Sequence, residues 1–485
     1  MKILFITKSH DFMVQRGASI ISAVARGKAH ETYLCNMNSE DPLERIASLK
    51  PEMIAYSSLS GEAKHYIKLN RVIKESFPNL FTIMGGHHPT FYHDLIKTST
   101  LDAICIGEGE GAFADVLDRL SAGQSVEGIA NILTRNGDGV FIRDAVADLD
   151  SLPFPDYGLF YDNVPAMGRS PLKSIMVSRG CVFSCSYCHN AQWNKIYRGK
   201  GKVFRRHSVE YVMEDINRIR WKWPLSCVKF YDDTFCYRVD DWLEAFCLQY
   251  KERVNLPFFI LTRYDLLTED MVKILKYAGC RTISMSIEAG NPETRINTLR
   301  RGMSDEQILR ASLLCEKYGI YTFTNAILAL PGSTIKDDIR SIDLAIEAKS
   351  TWAEFSPFYP YPGTELGDYT IKMGLYKPDY EHMHTSYQNR SLLRCFNDRE
   401  KTAQTNLTTL GPVAVVFPKL RNMIVNHLIY WRNNKVFILA YWLAKSLVLR
   451  RKIYYTKTSH WQSLCIYARS LKQELFRHTQ EKEGD

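Results

Sequence analysis

Several things are missing from this chain. No segment repeats and no low-complexity run interrupts it, which excludes solenoids and disordered arrays. Its twelve cysteines show no even, framework-like spacing, and the opening MKILFITKSH lacks the long apolar core and small-residue cleavage site of a secretory signal. Structural disulfides are therefore not expected; reduced thiols and a cytoplasmic location are. The C-terminal part has no apolar run long enough to span a bilayer. Its most apolar stretch, VFILAYWLAKSLVL (436–449), is broken by Lys445 and Ser446, and a span needs about twenty residues. No recognisable nucleic-acid-binding motif is present, so no nucleic-acid partner is expected.

What is present is a globular composition, 45% hydrophobic and 24% charged, in a chain of 485 residues, long enough for two or three domains. The net charge of +9 is unevenly placed. Twelve Lys and Arg against one acid lie between Pro418 and His478, so by subtraction the remainder is slightly acidic. The basicity belongs to the tail and not to the body.

Residues 1–123 alternate short apolar runs with helical segments. KILFIT (2–7), ETYLCN (31–36), MIAYSS (53–58), LFTIMGG (80–86) and AICIGEG (103–109) read as buried strands of a parallel, doubly wound α/β sheet. Ligands of such sheets sit at the strand ends, where two glycine-bearing loops fall, GGHHPT (85–90) and GEGEG (107–111). The Pro-rich DLDSLPFPDYGLF reads as a linker. From Lys173 six further βα units follow, two short of a closed barrel. The expected organisation is a Rossmann-like domain over 1–147, a linker over 148–172, a partial (β/α)6 barrel over 173–375 and a mostly helical, basic region over 376–485.

SRGCVFSCSYCHN places Cys181, Cys185 and Cys188 just after the first barrel strand, on the face where βα-barrel active sites lie. Thiolates suit zinc or an iron–sulfur cluster. A structural zinc site needs four ligands, and no second C-x-x-C pair exists. Three ligands with one position left open describe a cluster that keeps an iron free.

C-x-x-x-C-x-φ-C, with Tyr187 as the aromatic, resembles the signature of radical S-adenosylmethionine enzymes. The resemblance implies a 4Fe–4S cluster on the three cysteines. Its fourth iron binds S-adenosylmethionine, which is cleaved to a 5′-deoxyadenosyl radical that abstracts a substrate hydrogen. FYDDTF (230–235) is similar to the family's second-strand motif, which places Asp232 or Asp233 at the cofactor's ammonium. SIEAG (286–290) places Glu288 at its ribose or amino group. LRRGM (299–303) offers Arg300 or Arg301 to its carboxylate. ILALPG (327–332) and Tyr187 are expected along the adenine.

GGHHPTF, DAICIGEGEGAF and the LPFPD linker resemble the branch that joins a cobalamin-binding domain to the radical domain, which includes cobalamin-dependent methyltransferases and anaerobic magnesium-protoporphyrin ester cyclases. The resemblance covers roughly 50–375 and places Ser57, Gly85, Gly86, Gly107 and Glu108 at the nucleotide tail of cobalamin. Glycines suit a backbone that approaches a phosphate closely. No Asp-x-His-x-x-Gly motif occurs, so a histidine on cobalt is not expected.

These resemblances imply cobalamin-dependent methyl transfer to an unactivated carbon of a small or lipid-like substrate, with flavodoxin or ferredoxin as electron donor. Cyclisation, oxidation or carbon–carbon bond formation is the alternative within the same chemistry, and a non-catalytic cluster-bearing scaffold is the alternative outside it. The basic tail, with His382, His384 and Tyr387 before it as candidate substrate contacts, is expected to dock on an anionic membrane surface at its inner face without crossing it.

Overall fold

The computed structural model describes residues 1–8, 14–137, 139–379, 383 and 390–454. Two six-stranded sheets carry it. The first comprises β1 (Lys2–Thr7), β2 (Glu31–Asn36), β3 (Met53–Ser57), β4 (Phe81–Gly85), β5 (Ala103–Cys105) and β6 (Ile132–Thr134), in the order β2-β1-β3-β4-β5-β6. All neighbours are parallel except β5 and β6. The short run after Asn131 carries no strand pattern of its own, and β6 exists because it closes the edge of β5. Alternation along β1 shows why the sheet is doubly wound. Ile3 and Phe5 enter one core, Leu4 and Ile6 another, and all four are buried.

The core reached by Ile3 and Phe5 runs on without a break into the second half of the chain, through Tyr157, Phe160 and Val177. That half holds β7 (Leu172–Ile175), a two-stranded ribbon of β8 (Ser178–Arg179) with β9 (Arg205–Arg206), then β10 (Cys227–Phe230), β11 (Phe258–Thr262), β12 (Cys280–Glu288), β13 (Tyr321–Leu328) and β14 (Trp352–Pro357). The six long strands are parallel and ordered β14-β13-β12-β11-β10-β7, an open half-barrel. Its helices start where the sequence supplies caps: Ser208, Asp240 and Thr268 each accept from a backbone amide of the first turn, and Ser304 and Thr334 complete capping boxes with Gln307 and Asp337.

Beyond Leu375 the chain looks polar, yet helix Asp398–Val416 is buried along most of its length. Most of its inward polar groups find partners, the Gln404 carbonyl oxygen excepted. Asn406 donates to the carbonyls of Ile429 and Trp431, Thr408 to that of Thr405, and the Gln404 amide to Asp338. Gly411 lets this helix lie directly on β14, because a Cβ there would come within 2.9 Å of the Phe355 ring. A later helix, Lys435–Val448, packs Phe437, Tyr441 and Ala444 inward. Tyr441 and Lys445 reach Glu354 of β14, so Lys445, counted among the tail's cations, is a half-buried partner and not a free surface charge. No helix among the described residues is long and apolar enough to cross a membrane. His382, His384, Tyr387 and the tail after Tyr454 lie outside the described residues.

One buried ionic cluster clamps the two halves together. Glu108, on the loop after β5, meets Arg205 through two nitrogens at 2.7 and 3.1 Å and Arg179 at 3.3 Å. Arg179 also binds Glu110 at 2.5 Å. The Tyr197 hydroxyl accepts from the Glu108 amide at 2.6 Å. Burial works against the Glu108 carboxylate, but Arg205 and Arg179 hold its pKa below the usual value. Arg205→Met would leave that carboxylate with one cation in a nearly dry site, where the Glu108 and Arg205 side chains are 5% and 4% exposed. The expected loss is about 3–5 kcal/mol at neutral pH, read from urea unfolding. Because the folded pKa is depressed, the stabilisation is present above the unfolded value of about 4.3 and is lost as pH falls through the folded pKa, so the difference between wild type and variant should narrow in acid.

Candidate functional site

The cysteine loop leaves β7 and is fixed at once. One carboxylate oxygen of Asp232 accepts from the amides of Val177 and Ser178 and from the Ser178 hydroxyl, at 2.9, 2.7 and 2.6 Å. Asp232 is fully buried and its pKa is pushed up to about 6 by burial, against those hydrogen bonds. It therefore positions the loop, while Asp233 beside it is exposed. The structure therefore separates two residues that the sequence reading left undivided, with Asp233 the carboxylate open to solvent.

Cys181 and Cys185 are buried and Cys188 is half-buried. Burial pushes the Cys188 pKa up to about 12, and the charges of Asp233, Cys185 and Cys181 nearby push in the same direction. Asn194 donates to the Cys181 carbonyl at 2.9 Å, and Thr234 lies 3.9 Å from the Cys181 sulfur. Arg263, at the end of β11, was not picked out from the sequence. Its guanidinium lies 3.9 Å from the Cys185 sulfur, over the Phe183 ring and paired with Asp265. An arginine just past a barrel strand was the available signal. Among the described residues no three His, Cys, Asp or Glu side chains close on a single metal ion. A 4Fe–4S cluster spreads its thiolates over separate irons, so a three-thiol donor set fits it.

Across the same mouth, Tyr187, Glu288 and Arg301 meet. The Tyr187 hydroxyl donates to Glu288 at 2.8 Å, and Arg301 lies 3.2 Å from that hydroxyl and 3.5 Å from the carboxylate. Glu288 sits at a register shift ending β12 with φ of +66°, a left-handed conformation that side chains rarely adopt. Such strain is characteristic of functional positions. Burial opposes the Arg301 charge, yet Tyr187 and Glu288 hold its pKa above the ordinary value. Its buried Nε and the second oxygen of Asp232 have no hydrogen-bond partner, and unsatisfied groups of this kind at a mouth fit a polar cofactor. The choice between the two arginines is settled by position: Arg300 points to the surface and pairs with Glu365. ILALPG ends β13, and Ala329, also at positive φ, takes Asp338 on its amide.

The first sheet faces this mouth with its glycine loops. Ser57 and Gly85 are half-buried at their strand ends. Gly86 (φ +99°) is needed for a loop-to-loop contact, since a Cβ there would stand 2.7 Å from the Ser58 carbonyl. Gly107 (φ +81°) is needed for the clamp, since a Cβ would stand 2.3 Å from the Tyr197 hydroxyl. Protein backbone and ring, more than a phosphate, account for these two glycines. Glu108, expected at a nucleotide tail, has its carboxylate committed to Arg205 and Arg179.

The open surface between the halves is lined instead by rings. His87 is exposed, with its pKa lowered by the atoms packed around it while Asp233 of the other half opposes the shift. It stands 5.8 Å from His189 and 6.4 Å from Trp193, and Phe91 stacks on His189 at 4.6 Å. Helix His189–Ile196 has no buried residue although it lies between the two halves. Half-open rings around a gap fit a large flat cofactor such as a corrin.

Residues 3–117 match the B12 binding domain and residues 175–345 the radical SAM superfamily. An uncharacterized methyltransferase of Pyrococcus horikoshii is 26% identical over 396 residues, covering 77% of this chain and 84% of its own. The cytidylyl-2-hydroxyethylphosphonate methyltransferase of Streptomyces wedmorensis is 22% identical, with 73% and 72% covered. Among solved structures, the radical S-adenosylmethionine methyltransferase TsrM of Kitasatospora setae, with cobalamin and a [4Fe-4S] cluster bound, superposes with a TM-score of 0.67 at 14% identity, covering 98% of this chain and 99% of that one. That likeness is one of fold.

The two neighbouring arginines should behave differently. Arg301→Met removes the buried partner of Glu288 and Tyr187 and should destabilise by about 3–5 kcal/mol. Arg300→Ala removes a surface pair and should cost about 1 kcal/mol or less. Parallel urea titrations check both.

Proposed function

From a radical S-adenosylmethionine enzyme with a B12 binding domain at its N-terminal side, we propose a cobalamin-dependent methyltransferase acting on an unactivated carbon. When bound, cluster and S-adenosylmethionine supply a carbon radical, and cobalamin supplies the methyl group. Cys181, Cys185 and Cys188 hold the cluster. Asp233 pairs with the ammonium of S-adenosylmethionine and Arg301 with its carboxylate. Tyr187 and Glu288, braced by each other, bound its ribose and adenine. The rings of His87, Phe91, His189 and Trp193 form the cobalamin cradle, with Ser57, Gly85 and Gly86 beneath. The observation that carries this reading is the contact of the first sheet's glycine loop with the residue that follows Cys188: Phe91 stacks on His189 at 4.6 Å and His87 stands 5.8 Å from it.

The experiment is anaerobic reconstitution with iron, sulfide and hydroxocobalamin, followed by product mass spectrometry with S-adenosylmethionine and cell extract. A product heavier by one CH₂ is expected. A product lighter by two hydrogens would move the enzyme to cyclisation or oxidation, and no consumption of S-adenosylmethionine would leave a scaffold. Replacing all three cysteines by Ala should abolish both the brown absorbance and 5′-deoxyadenosine. A flavodoxin or ferredoxin is the proposed electron donor.

We further propose peripheral contact with an anionic membrane. Helix Lys435–Val448 turns Val436, Leu439, Leu443 and Leu447 outward in one stripe, 70, 48, 56 and 48% exposed. Arg432 and Lys435 precede the stripe, and Arg451 and Lys452 follow it, all exposed. Basic residues near anionic lipid contribute roughly 1 kcal/mol each. Flotation with vesicles of rising phosphatidylglycerol content should carry the wild type and not a Leu439→Glu/Leu443→Glu double variant. Equal behaviour of the two, or no dependence on lipid charge, contradicts the docking.

A further inference from the structure

The half-barrel is hollow on one face. Along β13, Thr322, Thr324, Ala326 and Leu328 are buried, whereas the residues between them keep open surface. On β10, Val228 and Phe230 are buried, with Phe230 against Phe246 and Tyr250 of the outer helix layer. Lys229 between them keeps open surface. The concave face is therefore a lumen beneath the rim that carries Asp233 and Glu288.

Lys229 stands low in that lumen. It is level with Phe259, and Phe259 is level with Thr282. The Thr282 hydroxyl donates to the Ile453 carbonyl, where the C-terminal segment closes the floor. The Lys229 ammonium lies 4.5, 5.1 and 5.6 Å from the ring centres of Tyr231, Phe259 and Tyr454. Its hydrogen bond goes to the Tyr454 hydroxyl, at 3.4 Å. Among the described residues no carboxylate comes within ion-pair distance of it. The nearby acid of this face, Glu354, is matched by Lys445 at 3.1 Å and takes the Tyr441 hydroxyl as well. Among the described residues the lower lumen thus holds two ammonium groups, Lys229 and Lys445, and one carboxylate, Glu354.

A half-buried cation among aromatic rings without a counter-charge is costly. Burial pushes the Lys229 pKa down to about 8, and an anion beside it would reverse that shift. A ring cage lined on one side by open surface is a site built for a partner and not for bulk water.

We infer that Lys229 anchors an anionic group of the substrate, a carboxylate or a phosphate, at the floor of the half-barrel. The inference rests on the radical-enzyme reading, which makes this lumen the substrate's place. It also sets a ruler. Asp233 is four residues beyond Lys229, up to roughly 13 Å at about 3.3 Å per extended residue. The reacting carbon at the rim is then several bonds from the anionic group and not adjacent to it. The aromatic floor suits a flat or apolar body between the two.

The test uses the cluster- and cobalamin-loaded protein and equilibrium dialysis with labelled benzoate, labelled benzamide and inorganic phosphate. Saturable retention of benzoate or phosphate, with benzamide not retained, is expected. Which anion wins distinguishes a carboxylate from a phosphate substrate. Lys229→Gln and Lys229→Met should each lower the retained anion's affinity by about tenfold or more, and Lys229→Arg should restore it. A purely structural lysine would not give that pattern. Retention of neither anion, retention of benzamide equal to benzoate, or undiminished binding by the folded Gln or Met variant overturns the inference. Binding is read without turnover. Failure of the wild type to load iron or cleave S-adenosylmethionine would sink the radical reading by a separate measurement.

Discussion

The contact on which the arrangement depends is the buried charge cluster of Glu108, Glu110, Arg179 and Arg205. Arg179 stands two residues before Cys181, so the first half of the chain grips the cluster loop at its root. Replacing such a network by apolar residues would often be neutral for stability. Its value here is geometric, because bidentate Arg–carboxylate contacts fix register in a way that packing alone does not. The glycine at 107 and the hydroxyl of Tyr197 follow from the same approach. So does the position of His87, which reaches the space above Asp233 only because the two halves are locked in this orientation.

Much of the fold was legible because parallel buried strands announce themselves. KILFIT, MIAYSS, TISMSIEAG and YTFTNAILALPG are runs of strand character, and each became a strand within a few residues of its expected bounds. What the pattern did not reveal depended on partners distant in sequence. β6 and the β8–β9 ribbon are too short to show a period. Helix Asp398–Val416 carries Thr, Asn and Gln inward, and only its hydrogen bonds to Asp338 and to the Ile429–Trp431 turn make that burial affordable. The basic tail's charge count did not show that Lys445 is paired with Glu354 and Arg421 with Asp343.

In the site, spacing found the thiols and the strand-end acids. It could not apportion roles within a pair. Asp232 is consumed by the amides of Val177 and Ser178 while Asp233 stays open, and Arg301 turns inward while Arg300 turns out. The two arginines diverge because Arg300 sits at a left-handed φ of +52°, a turn that spacing alone does not announce. Gly86 and Gly107 are also demanded by the close approach of Ser58 and Tyr197, and the proposed cradle draws rings from both halves, a constellation that no single motif encodes.

The central claim is that cluster and cobalamin open on one space clamped by Glu108. Both groups can be made paramagnetic in a single preparation, the cluster by reduction and the cobalamin as cob(II)alamin, and each then reports on the other. Pulsed electron paramagnetic resonance of the reconstituted protein should show the cob(II)alamin signal relaxing faster once the cluster is reduced, because nearby unpaired spins couple through space. Relaxation of cob(II)alamin that is unchanged by cluster reduction, in protein carrying both groups, would contradict the account.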